Sequence, residues 1–536
     1  MTNLRQILES RTHFACGVEL VTTRGTLDEA KAVQTRDFAR ELAEDSGIDW
    51  VSITDNAGGN PQLSPVALGK PLLYAGKEVV IHLSCKDFNR NGLESAAWTL
   101  ASEGFHNILA LTGDYPVTGY SGNSKPVFDI DSVGLLTLLN EMNHGLGVPI
   151  SARNGHTRRL QQTDFYTGAV VTNFKRHENE VVPQYLKLRK KIEVGAQFII
   201  SQIGFDAGKY SELIAYLHAY DFGHVPVIGN IFLMNERFAA FFNKGRMPGV
   251  VVSDEFLRCC RKAAAGSDQG RRFFRELAAK QMAIFRGLGY AGVYFGGVDR
   301  AEDLHEILSL EKSFSPDDWK QFAKEIQFSQ PGEFFYFDKN PDTGLADARR
   351  LHPDYAASLR QRRPTHNVTF NYRFSKWAHD QAFTPGKALF RLGSRIYNRS
   401  KTPAQGPKLL RLAEHLSKSA LFGCKDCGDC SLPDTGYLCP ESSCVKNQRN
   451  GPCGGTRDGK CEIEEFECIW ARTYDRLKAE GREQHLLDHA PVIQDQGLRG
   501  TSAWSNTFRQ KDHHSRRFAR VAAGLKSTGP IPSNAL

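Results

Sequence analysis

A chain of 536 residues with 40% hydrophobic and 24% charged side chains has the composition of an ordinary globular protein and the length for several domains. No run of about 18 apolar residues occurs, which excludes a helical membrane span, and the charged stretch Met1–Thr12 predicts no secretory leader and a cytoplasmic protein. The net charge of +8 is modest, and without an aromatic–basic pattern it does not point to nucleic acid.

Over roughly the first 300 residues one rhythm repeats: a short β-branched run, a polar loop, a helical stretch. The predicted strands are Phe14–Leu20, Trp50–Asp55, Glu78–Cys85, Asn107–Asp114, Phe165–Phe174, Phe198–Asp206, Val225–Phe232 and Gly292–Gly297. Amphipathic stretches lie between them, among them Thr26–Ser46, Gly92–Glu103, Ser132–Asn143, Pro183–Val194 and Lys209–Tyr220. This alternation predicts an α/β protein whose residues 1–305 form a (β/α)8 TIM barrel. A doubly wound sheet would carry a Gly-x-Gly-x-x-Gly turn after its first strand, and Leu20–Gly25 has none.

Residues 306–410 mix aromatics and charges, as in Phe334-Phe335-Tyr336-Phe337, and read as a helical connecting region. Its polar end, Asn398–Lys408 with Pro403 and Pro407, predicts a linker before a helix at Leu409–Ser419. Residues 411–513 read as a small cysteine-rich domain ending in a helical pattern at Glu467–Gly481, and 514–536 as a basic tail. In the tail region Arg509, Lys511, Arg516, Arg517, Arg520 and Lys526 face only Asp512, which suits a solvated tail or a docking surface for an acidic partner. The pair His513-His514 reads as a surface feature rather than a metal site.

Eight of the twelve cysteines fall between Cys424 and Cys468. Cys424, Cys427 and Cys430 are each separated by two residues, a spacing that turns three thiols toward one metal centre and suits disulfides poorly. Cys439, Cys444, Cys453, Cys461 and Cys468 follow among Gly, Pro and Asp, with few apolar residues to hold such loops together. Eight thiols can hold two cubane clusters, one cluster with a zinc, or two zincs. The opening triplet and Cys439-Pro440 favour at least one iron–sulfur cluster, of the [4Fe-4S] kind, over zinc alone or a redox-regulatory thiol segment. The spacing leaves the division of the last five open. Cys16, Cys85, Cys259 and Cys260 read as core or incidental residues.

In a barrel, reacting groups gather at the C-terminal ends of strands. Glu19, Thr54, Asp55, Asn56, His82, Asp114 and Gln202 fall at such ends. Glu19, between Val18 and Leu20, is expected to have a raised pKa and to donate a proton near neutrality. Asp114, in a turn beside Gly113, is expected to stay ionised.

The runs His82-Leu-Ser-Cys-Lys-Asp-Phe-Asn-Arg-Asn-Gly-Leu-Glu94 and Gly104-Phe-His-Asn-Ile-Leu-Ala-Leu-Thr-Gly-Asp114-Tyr-Pro resemble the methylenetetrahydrofolate reductases. Val51-Ser-Ile-Thr54 and Lys191-Ile-Glu-Val-Gly-Ala-Gln-Phe-Ile-Ile-Ser-Gln202 do so too, in family order, over about residues 14 to 300. The resemblance implies a flavin-binding barrel, carrying FAD or FMN, that reduces 5,10-methylenetetrahydrofolate to 5-methyltetrahydrofolate or runs in reverse. It implies Glu19 as general acid and Asp114 as a catalytic residue near pterin and flavin. Thr54, His82, Asp114 and Lys191 are implied at the flavin and Gln202 at the folate; the loop after strand seven, Phe232–Lys244, matches the family poorly, and an aromatic in it, Phe241, is the candidate to stack on the ligand. The family's carboxylate toward the flavin ribose falls at Gln184 here, and the fifth strand lacks the family's Tyr-Pro-Glu.

The segment from Gly423 to about His513 is similar to the C-terminal domain that accompanies some of these reductases. Its markers are Gly423-Cys-Lys-Asp-Cys-Gly-Asp-Cys430, Cys439-Pro, Asn450-Gly-Pro-Cys453-Gly-Gly and Gly459-Lys-Cys461-Glu. That similarity implies iron–sulfur centres delivering electrons from a ferredoxin-like donor or an electron-transfer subunit, in place of or beside NAD(P)H, in a homo-oligomer. Two other classes compete: a zinc-stabilised interaction scaffold on an inactive barrel, and a cobalamin-dependent folate methyltransferase.

Overall fold

The structure, a computed structural model, describes residues 3–150, 157–463 and 466–514. Eight parallel strands close into a barrel: β1 (Ala15–Leu20), β2 (Trp50–Ile53), β3 (Glu78–Ser84), β4 (Asn107–Leu111), β5 (Tyr166–Val171), β6 (Phe198–Ser201), β7 (Val227–Phe232) and β8 (Gly292–Gly296). Each strand pairs with its neighbours in sequence, and β1 closes on β8 from Ala15↔Gly292 to Val18↔Phe295. All eight predicted strands are present, trimmed at their ends where the chain turns into loops.

Alternation of side chains divides the strands into two cores. Val18, Leu20, Val51, Ile53, Val79 and Ile81 point outward and pack under the surrounding helices. Trp50, Val80, Leu109, Tyr166, Phe198, Ile200, Ile228 and Tyr294 fill the lumen, joined by Leu4 and Leu8 of the short helix Leu4–Ser10. That helix plugs the N-terminal end of the barrel, where the Leu4 N–H donates to Glu78 at 2.9 Å. In the lumen Trp50 and Tyr294 stack with ring centroids 5.3 Å apart. Their bulk is accommodated by glycine on an adjacent strand: a Cβ at Gly17 would fall within the Trp50 ring, and one at Gly168 within Phe198.

The connecting region adds an antiparallel hairpin, Phe337–Lys339 with Ala346–Leu351, to its helices. It is anchored by a buried ion pair in helix Ala207–Ala219: Lys209 lies 3.0 Å from Glu212, and Glu212 accepts the Tyr336 N–H at 2.6 Å. Helices Phe370–Ala382, Ala388–Asn398 and Lys408–Phe422 lead into the cysteine-rich loops, and Ile469–Ala479 follows them. The cysteine module rests on the barrel rather than hanging from a linker. Asp131, which caps helix Ser132–Asn143, also accepts from the Asn450 backbone N–H and side chain, both at 3.0 Å.

One expectation is overturned. His513 is not a surface residue but is buried, with Nδ1 2.5 Å from Asp429 and Nε2 2.9 Å from Asp434, because the chain returns across the cysteine loops at Asp512–His514. The basic residues Arg516, Arg517, Arg520 and Lys526 lie outside the described residues.

Replacing Gly17 with Val should lower stability by about 1–3 kcal/mol through overpacking against Trp50. An unchanged denaturation midpoint for that variant would contradict the lumen packing.

Candidate functional site

Glu19, the fifth residue of β1, points into the C-terminal half of the lumen, where the Tyr294 hydroxyl donates to Oε1 at 2.8 Å. Burial raises its pKa above the usual 4.5, with the Tyr294 hydrogen bond a smaller opposing effect. The cause differs from the one expected: Val18 and Leu20 face the helices, and the desolvation comes from the plugged lumen beneath Glu19. On the neighbouring strand Ser52, the register partner of Glu19, has its Oγ 2.7 Å from His82 Nε2. The hydrogen-bonded pairs Glu19–Tyr294 and Ser52–His82 thus form a chain of polar side chains in a mostly apolar interior. Burial pushes His82 down to about 4, so it is neutral at physiological pH.

The other sequence-nominated groups ring this chain. Thr54 is buried, and its Oγ1 accepts the Thr22 N–H at 3.4 Å. Asp55 accepts from the Ser84 N–H at 3.1 Å and hydroxyl at 2.6 Å, while Asn56 accepts the Gln62 N–H at 2.7 Å. Asp114 accepts the Gly58 N–H at 2.8 Å, tying the loop after β2 to the loop after β4. That approach needs glycine at 59, where φ is +73° and a Cβ would strike the Tyr115 carbonyl. The Gln202 backbone donates to the Val171 carbonyl at 2.9 Å, and among the described residues its side chain accepts only the Ile203 N–H, also at 2.9 Å. Lys191 sits apart on helix Glu178–Glu193, where it donates to the Val170 carbonyl at 2.6 Å; burial lowers its pKa to about 7. Phe241 is half-exposed on helix Glu236–Asn243, edge-on to Phe242.

Three residues escaped the sequence reading: Ser52, Tyr294 and Asn230. Asn230 lies on β7 with its side-chain oxygen buried and without a hydrogen-bond partner among the described residues. A single polar residue in an apolar strand, at the inward parity, is the signal that would have found each of them.

The tertiary structure divides the eight clustered cysteines. Cys424, Cys427, Cys430 and Cys439 line one enclosed cavity, and Cys444, Cys453, Cys461 and Cys468 line a second. Each set has buried cations beside it. Lys418 interacts with Cys424 and Cys430 and Arg449 with Cys427, whereas Lys446 and Lys175 interact with Cys453. Positive charge so placed suits sulfur ligands that carry negative charge.

The second set adjoins the barrel mouth. Lys446 donates to the Gly113 carbonyl at 3.0 Å, next to Asp114, and pairs with Glu462. Gln184 donates to the Cys453 carbonyl at 2.6 Å, so the position aligned with a ribose contact is engaged by the cysteine loop. Lys175 donates to the carbonyls of Gly454, at 2.7 Å, and Thr456. Lys187 donates to the Gln448 side chain and the Gly451 carbonyl at 3.0 and 3.1 Å.

The profile of the family described as methylenetetrahydrofolate reductase matches residues 5–311, and that described as methylene-tetrahydrofolate reductase C terminal matches residues 405–496. Among solved structures, the chain is similar to an uncharacterized protein from Clostridium thermocellum that binds two copies of 5-methyl-5,6,7,8-tetrahydrofolic acid. The identity there is 13% and the TM-score 0.41, covering 58% of this chain and 97% of that one. It is also similar to 2,3-dimethylmalate lyase, a member of the PEP mutase/isocitrate lyase superfamily, with 10% identity, TM-score 0.31 and coverage of 60% and 92%. With more than half its length matched by the barrel profile, the chain belongs to the methylenetetrahydrofolate reductase family and carries that family's C-terminal domain.

Proposed function

We propose that this protein interconverts 5,10-methylenetetrahydrofolate and 5-methyltetrahydrofolate at the barrel mouth with a bound flavin, and that its two four-cysteine sets hold iron–sulfur clusters serving that flavin. The observation that carries the reading is Glu19 at the mouth, a half-buried carboxyl whose pKa desolvation raises, with one cysteine set lying against the same mouth.

Glu19 supplies the proton to a nitrogen of the imidazolidine ring, which opens the ring to an iminium at the methylene carbon. Its hydrogen bond from Tyr294 fixes the carboxyl's direction, and the apolar lumen beneath shields it from water on that side. The partnerless Asn230 oxygen and the loosely engaged Gln202 offer polar contacts to a heteroaromatic ring. Thr54, His82 and Asp114 are the groups nominated to hold a flavin, which when bound supplies a hydride to the iminium carbon, making the methyl group. Lys191 joins that set only by releasing the Val170 carbonyl. Among the described residues, no three cysteine sulfurs lie within 4.8 Å of one another, although four line each cavity. A single zinc would draw its thiolates to about 3.8 Å, so this spread favours a polynuclear cluster.

The face beside Cys424–Cys439 suits an acidic one-electron carrier protein. Residues 370–425 hold eleven Lys and Arg against two Asp and Glu. Helices there expose Phe370 (83%), Leu409 (78%) and Trp377 (60%), and Arg391, Arg395 and Arg399 are exposed nearby. Apolar anchors amid concentrated positive charge match an acidic partner.

Anaerobic purification, metal analysis and a visible spectrum test the whole reading; a colourless protein that takes up no flavin would overturn it. Glu19→Gln should cut turnover of methylenetetrahydrofolate by about 10²–10⁴-fold while flavin binding persists. Because the Glu19 pKa is raised on folding, its favourable contribution is complete below about 4.5 and is lost as pH rises through the folded value. The Gln variant should therefore be at least as thermally stable as the parent at alkaline pH, and lower stability there would count against a buried neutral acid. Cys427→Ser and Cys453→Ser should each remove about half the iron. Equal and complete iron loss from either single variant would argue against two independent sets. Arg391→Glu with Arg395→Glu should slow electron delivery from a reduced acidic ferredoxin yet leave delivery from a small viologen dye unchanged. Equal rates with ferredoxin would remove this face as the docking surface.

A further inference from the structure

Besides the cysteine sets, one cluster in the C-terminal module has the composition and geometry of a metal centre. Asp434, His513 and His514 bring one ligand atom each within 4.8 Å of the others, the one such group among the described residues. Asp434 Oδ2 lies 2.9 Å from His513 Nε2 and 3.6 Å from His514 Nε2. A tetrahedral zinc with nitrogen and oxygen ligands holds them about 3.3 Å apart, and these two distances bracket that value. We infer that Asp434, His513 and His514 form a zinc site that fastens the returning chain to the cysteine loops.

Two further features point to a cation. Asp434 is fully buried, yet its second oxygen, Oδ1, has no hydrogen-bond partner among the described residues. An orphaned carboxylate oxygen in such a place is costly unless something positive meets it. The second feature is Asp429, also buried, which binds His513 Nδ1 at 2.5 Å and receives the His513 backbone N–H at 3.3 Å. A carboxylate on one ring nitrogen fixes the tautomer and aims the other nitrogen outward, the arrangement that supports metal-ligating histidines. Here the other nitrogen is aimed at Asp434.

The site also has structural work to do. Asp429 and Asp434 flank Cys430, and His514 Nε2 lies 3.2 Å from the Cys430 carbonyl. A metal here would cross-link residues 429–434, which carry part of the first cysteine set, to the chain some eighty residues later. Loops with little apolar packing of their own gain most from such a link. Metal binding must displace the proton that bridges His513 to Asp434 and also the Nε2 proton that His514 donates to the Cys430 carbonyl, so the metal replaces both hydrogen bonds. The fourth position is left to water.

The inference is independent of the iron content of the cysteine sets. The full-length protein, purified anaerobically and equilibrated with zinc before desalting, should retain about one zinc per chain. Its zinc-edge absorption spectrum should show only nitrogen and oxygen ligands, at about 2.0 Å. His514→Ala and Asp434→Asn should each drop zinc more than tenfold with iron unchanged. His514→Ala is the cleaner variant, since His514 is not part of the Asp429–His513–Asp434 bridge. No retained zinc, sulfur ligands at about 2.3 Å, or full zinc in the His514→Ala variant would each overturn the assignment, leaving His513 as a protonated bridge between two carboxylates.

Discussion

The arrangement depends on buried cations of the barrel that bind the backbone of the cysteine loops. Lys175, at the end of β5, and Lys187, on helix Glu178–Glu193, extend their ammonium groups to the carbonyls of Gly451, Gly454 and Thr456. A buried ammonium without partners would lose its charge or cost several kcal/mol. Carbonyls that no helix or strand uses are equally in need of donors. Each side satisfies the other, and the second cysteine set is thereby held against the mouth of the barrel. Asp131, on the neighbouring helix, does the same through Asn450.

This seating makes the barrel and the cysteine module one packed unit. Lys446 belongs to the module but bonds the Gly113 carbonyl, one residue from Asp114, which itself ties the loop after β2 to the loop after β4. The loop that carries Cys453 is likewise the partner of Gln184. The second cysteine set is therefore connected to the barrel mouth through only a few hydrogen bonds. The first set lies farther along the module, beneath the basic and apolar helices, so the two sets form an inner and an outer position.

The lumen shows how a carboxyl's pKa can be raised without unusual neighbours. The helix Leu4–Ser10 closes the bottom, stacked Trp50 and Tyr294 fill the middle, and Glu19 sits above them with one hydrogen bond. Tyr294 serves both as packing and as donor, which is why its ring is sandwiched while its hydroxyl reaches Glu19.

Local pattern was enough to place all eight barrel strands and the helix Ser132–Asn143 to the residue, because alternation and periodicity are written in consecutive residues; the raised pKa of Glu19 was anticipated from its neighbours Val18 and Leu20, but the lumen is what causes it. The family motifs lie in that same barrel, each within one stretch of chain, and were legible for the same reason. What spacing could not reveal was anything that depends on residues far apart. The division of eight thiols into two sets, the Glu19–Tyr294 and Ser52–His82 pairs, the capture of Gln184 by the cysteine loop and the burial of His513 all join segments separated by tens to hundreds of residues. The cysteine-rich segment looked short of apolar residues to hold it together because its support comes from the barrel's charged groups, and only the folded chain brings those into reach.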